Sequence, residues 1–100
     1  MATTSKALFR GAASTSNTTL YTVPSATTAI VTNIVVTNTT TSGATFTLKL
    51  DDVDFATTAA IAASSIATFD IKQVLSAADT IKGSASATTV NFHISGVEVA

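Results

Sequence analysis

His93 is the single histidine of this 100-residue chain. A histidine that ligates metal or serves a nucleophile needs partners at set spacing. No second histidine stands near it, and Phe92 and Ile94 flank it, so it reads as the polar position of an alternating strand. Cysteine is absent, which removes thiolate ligands, thiol nucleophiles and disulfides. The densest titratable group is Asp51, Asp52 and Asp54. Hard cations want several converging oxygens, but this run lacks the glycine and glutamate of a calcium loop, and aspartate is a common turn former. The expectation is a turn, with no metal site assigned. Asn17-Thr18-Thr19 and Asn38-Thr39-Thr40 match the glycosylation sequon, as chance expects in a chain this rich in Thr. The four glycines lie dispersed at 11, 43, 83 and 96, so no phosphate loop forms. Tyr21 is the one tyrosine and tryptophan is absent, which leaves no stacking platform for sugars. Thr45-Phe46-Thr47 stands alone, without the repeat an ice-binding face needs. No catalytic residue and no cofactor is assigned, and an enzyme is the remotest class.

What replaces chemistry is hydroxyl. The chain has 21 Thr and 11 Ser against 11 charged residues, where a typical domain is about 25% charged. Net charge is −1. Lys6, Arg10, Lys49, Lys72 and Lys82 are scattered, so phosphate neutralisation and nucleic-acid binding are not expected. No apolar run approaches the roughly 18 residues of a membrane span, and no membrane role is expected. The first residues lack the apolar core of a secretory signal. Residues 1–17, with Lys6 and Arg10 among small polar side chains, read as an N-terminal arm, and residues 18–100 as one β domain.

Threonine is β-branched and favours strands, and the apolar spacing is mostly period two. Thr18 to Val23 is a strand stopped by Pro24. Ala29 to Asn38 places Ile30, Ile34 and Val36 on one face and Val31 and Val35 on the other, as a central strand would. Ala44 to Leu50 alternates cleanly, and with the preceding run it reads as a hairpin. Ala59 to Ala63 reads as an edge strand or extended loop, and Ile66 to Ile71 as a strand. Gln73 to Ala77 reads as a helical turn. Thr80 to Ser86 sets Ile81, Gly83 and Ala85 together for close packing. Val90 to Val99 closes the fold, with a phase slip at Ser95-Gly96 that predicts a β-bulge there. The fold class is all-β: an antiparallel β-sandwich or jelly roll of about seven to eight short strands.

The stretches Leu20 to Pro24, Ala29 to Asn38, Phe46 to Asp51, Asp79 to Ser86 and Ile94 to Val99 together resemble small virion structural proteins of tailed bacteriophages. The resemblance implies a β-sandwich component of the particle. It points to a capsid decoration (cement) protein, often trimeric, made in the host cytoplasm and bound to the major capsid protein or another virion protein. The rival reading is an adhesin or receptor-binding module of tail, baseplate or fibre. An uncharged hydroxyl surface fits both, because burying unpaired charge is costly while a hydroxyl donates and accepts in many geometries. Leu8, Phe9 and Arg10 are the expected interface residues, as a clasp on a neighbour, and edge strands are expected to pair between subunits.

Overall fold

The computed structural model describes residues 3–100. Eight strands fill them: β1 (Thr3–Ala12), β2 (Thr18–Thr22), β3 (Thr28–Asn38), β4 (Ala44–Leu50), β5 (Val53–Ile61), β6 (Ile66–Leu75), β7 (Thr80–Ala85) and β8 (Val90–Val99). They form two antiparallel four-stranded sheets, ordered β1-β8-β3-β6 and β2-β7-β4-β5. That order is the jelly roll. Its logic is visible in the register. Thr3 faces Val99, Thr18 faces Gly83, Ala29 faces Leu75 and Ala44 faces Ile61. Each pair straddles Asp51-Asp52 almost symmetrically, so the chain is one long hairpin folded over itself. At the tip both Asp51 (φ 53°) and Asp52 (φ 60°) are left-handed, as a tight two-residue hairpin turn requires. The expected turn is therefore the centre of the fold.

The two sheets bury Ile34, Val36, Phe46, Leu48, Ile81, Val90, Phe92 and Ile94 between them. Phe46 meets Phe69 and Phe92 edge-on, with ring centroids 6.2 Å apart in both pairs, a favoured aromatic geometry. Gly83 does what its spacing promised: a β-carbon there would crowd Leu48 at 3.0 Å and Phe92 at 3.1 Å.

Five sequence expectations change. Residues 3–12 of the expected arm form β1, an edge strand paired along β8; Met1 and Ala2 lie outside the described residues. β3 and β4 do not form a hairpin. They belong to different sheets, and residues 39–43 carry the chain across. The helical turn at Gln73 to Ala77 is absent: β6 continues to Leu75, which pairs with Ala29, and this ladder overrides helix propensity. The slip at Ser95-Gly96 is not a bulge of β8, which alternates regularly through a buried Gly96. The extra residues sit on its neighbours, Leu8 on β1 and Thr32 on β3. A β-carbon on Gly96 would lie 2.3 Å from the Ile30 carbonyl oxygen, so only glycine lets those bulged strands approach. The Thr32 bulge in turn resets β3: Ala29, Val31, Ile34 and Val36 point inward, while Ile30 and Val35 point out. Its central place between β8 and β6 is as expected.

Candidate interaction surfaces

The three aspartates do not converge. Asp52 accepts a hydrogen bond from Lys82 Nζ at 2.8 Å, and Asp54 lies 3.7 Å from Lys49 Nζ. Asp51 lies instead beside Asp79. Repulsion from Asp79 is the main cause holding the Asp51 carboxyl above the usual range, whereas the hydrogen bond and charge of Lys82 hold Asp52 below it. Among the described residues no three His, Cys, Asp or Glu side chains gather as a metal set. Asp51 and Asp79 rim an open cleft of about 300 Å³ between β5 and β6, floored by Leu50, Phe55 and Leu75.

Near the same end, Tyr21 donates its hydroxyl to Glu98, and Lys6 Nζ approaches Glu98 at 3.4 Å. The Tyr21 hydrogen bond, followed by Lys6, holds Glu98 below the usual carboxylate range. Burial, then Glu98 itself, pushes the Tyr21 phenol up.

The expected clasp is not a surface. The bulge turns two consecutive residues inward: Leu8 is buried, and Phe9 packs against the same core. Arg10 alone of the three is exposed. It pairs in register with His93, which sits on the outward, half-buried side of β8 as its alternation predicted. Asn38 is unlike a glycosylation acceptor, being 2% exposed. Its Nδ2 donates to the carbonyls of Ser42 at 2.8 Å and Ala62 at 3.2 Å, and its Oδ1 accepts from the Thr40 N–H. Sequence reasoning missed this role. The available signal was an asparagine closing an apolar strand just before a polar loop.

Strand addition meets an obstacle at every edge. The ladders of all four edge strands, β1, β2, β5 and β6, are interrupted by bulges, a device that keeps edges from pairing with other chains. The β4–β7 ladder inside its sheet runs unbroken.

The two outer faces differ in kind. Outside β2-β7-β4-β5, register sets Thr22 beside Thr80, Thr47 beside Ser84, and Lys49 beside Lys82. This face is hydroxyls with both lysines neutralised by Asp54 and Asp52. Outside β1-β8-β3-β6, one row reads Val74, Ile30, Val97, Ser5, and another Thr68, Val35, His93, Arg10. Ile66 is 69% exposed and Val74 66%. Asp70 also lies on this side, one row from Thr68. Neither Asp70 nor Arg10 forms an ion pair among the described residues.

No protein-family model matches the chain, and no curated protein matches it.

Proposed function

We propose that this protein is a non-enzymatic structural component of a virus particle, a decoration protein that lies on the capsid shell and stabilises it by bridging capsid subunits. Support comes from the resemblance of its strand and turn stretches to small phage virion proteins, and from a jelly roll that presents two broad sheet faces. Fold alone carries no function. The observation that carries the reading is the outer face of β2-β7-β4-β5, where Thr, Ser and internally paired lysines leave no unmatched charge to bury. A capsid covering that face would desolvate hydroxyls, which re-form hydrogen bonds in many geometries, and ions already paired within the chain, in place of lone ions, which are costly to strip. A ligand that binds only the assembled shell stabilises it by mass action.

The test is particle robustness. Particles carrying the protein should withstand higher temperature and osmotic shock than particles lacking it, and cryo-EM should show it in hundreds of copies across the shell. Equal robustness, or a handful of copies at the tail, overturns the capsid reading; the second result points to a tail-associated adhesin.

A further inference from the structure

The outer face of β1-β8-β3-β6 has a pattern that the shell-binding face lacks: its two margins complement each other. The β1 margin presents small residues and one cation, in the order Ser5, Ala7, Arg10, Ala12. The β6 margin presents Val74, Asp70, Thr68 and Ile66 at the matching heights, as the ladders through β8 and β3 align them, with the exposed Lys72 between Val74 and Asp70 on the far side of Asp70 from the level of Arg10. Large side chains on one margin stand level with small ones on the other, and the anion stands one row from the level of the cation.

We infer that this face binds a second copy of the same chain, sheet against sheet, about a two-fold axis parallel to the strands. Such an axis keeps each row at its own height and swaps the margins. β1 then lies over the partner copy's β6, and β8 over its β3. Ile66 meets the small Ala12, Val74 meets Ser5, and Ile30 meets Val97, each twice. Arg10 lies over the level of Thr68, one row from Asp70, within reach of a long guanidinium side chain. Each contact recurs by symmetry, as an isologous interface demands. The other in-plane axis, across the strands, stacks β1 on β1 and brings the two Arg10 side chains toward each other, so charge selects the first. The bulged edges make face packing the available mode.

The size is adequate for a modest dimer. Four strands about 4.8 Å apart, each about ten residues at roughly 3.3 Å, give a face of roughly 600 Å². Two copies bury about 1,200 Å² together, the lower limit of specific interfaces. The dimer is therefore concentration-dependent. It does not rest on the virion reading, since it forms in solution without particles, and it leaves the hydroxyl face free.

Sedimentation equilibrium of the full chain over a wide concentration range is the test. The wild type should pass from monomer to dimer. Arg10→Asp and Asp70→Arg should each weaken the dimer about tenfold, and the double swap should restore it. Val97→Lys, which sets a cation against Ile30 of the partner copy in both symmetry-related contacts, should abolish it, and Thr47→Lys, on the other face, should leave it unchanged. All these side chains are outward on strands, and circular dichroism checks that each variant is folded. A monomer at every concentration, a trimer, or a dimer indifferent to both charge reversals overturns the proposal. Should Val97→Lys not fold, the charge-swap series decides alone.

Discussion

The two ends of the sandwich are closed by opposite means. At one end the β3–β4 and β5–β6 corners meet around Asn38, whose neutral amide ties Ser42, Ala62 and Thr40 together. Ser64 N–H adds a bond to the Thr40 carbonyl at 2.9 Å, and Thr39 N–H one to Thr89. Nothing in this corner network titrates. At the other end the Asp51-Asp52 tip, the turn before β7 and the end of β8 carry Asp51 against Asp79, Asp52 against Lys82, Lys49 against Asp54, and Glu98 between Tyr21 and Lys6. A chain with so few charges has gathered most of them at one pole. The difference teaches where the fold is stitched and where it is tunable. Buried amide bonds hold regardless of pH, whereas exposed ion pairs contribute little and shift with it.

The hardest way to break the comparison is at the neutral end. Asn38→Leu keeps the volume but removes the partner of the Ser42 and Ala62 carbonyls and of the Thr40 N–H, in part-buried bonds beneath exposed loops. Unmet buried polar groups cost about 1–3 kcal/mol apiece, and relaxation of the corner will recover part of that. The expected loss is about 3 kcal/mol, read from the urea midpoint, and it should be the same at every pH. A loss that varied with pH would mean that the corner is coupled to the ionic pole.

This corner also marks the limit of what the sequence discloses. Alternation identified the inner positions of β4 and β7, where the strands run regularly against each other, and it placed His93 outward. It failed on β3 because a bulge at Thr32 changes the phase within one continuous strand, and a bulge is set by the partner strands and not by the residue itself. Leu8 and Phe9 were expected to clasp a neighbour because their segment read as an arm, and a bulge at Leu8 in the strand it forms instead turns both inward. The β3–β4 hairpin looked sound because the two runs are adjacent and complementary, yet adjacency in sequence does not say which sheet a strand joins. Of the surface features, the turn at Asp51-Asp52 was legible from composition. The Tyr21–Glu98 contact joins residues 77 apart in the chain and was not. The complementary margins of β1 and β6 needed the registers of three ladders before they became visible.

A gentler probe lies at the ionic pole. Asp51 is raised by its proximity to Asp79. A carboxyl raised in the folded state contributes stability that is complete below the ordinary range and is lost as pH climbs through the raised value. Asp51→Asn removes the repelling charge while keeping a polar side chain that tolerates the left-handed turn. The variant should match the wild type in acid and exceed it at neutral pH. Asp52 and Glu98 are lowered, so their contributions are present above the ordinary carboxylate range and fade as pH falls. With Asp51 silenced, between acid and neutral pH the profile should rise only as far as the ordinary carboxylate range and stay level above it, without the opposing component. Urea midpoints across that range test it. A variant less stable than the wild type at neutral pH would show that the Asp51–Asp79 contact stabilises the two turns it joins.

The smallest effect belongs to Lys82→Ala. Lys82 pairs with Asp52 at 2.8 Å, but its register partner on β4 is another cation, Lys49. Like charges directly opposite across a ladder are destabilising. Removing Lys82 therefore deletes one attraction and one repulsion, and the Asp52 side chain is 67% exposed, where water screens both. The melting temperature should scarcely move. The carboxyl of Asp52 should nonetheless titrate higher, because the Lys82 hydrogen bond and charge are what lower it, and an NMR titration of that carboxyl will register the change. The two readouts together separate a charge that positions a neighbour from one that holds the fold. If Lys82→Ala instead lowered stability as much as Asn38→Leu, the ionic pole would be as structural as the amide corner, and the contrast between the two ends would fail.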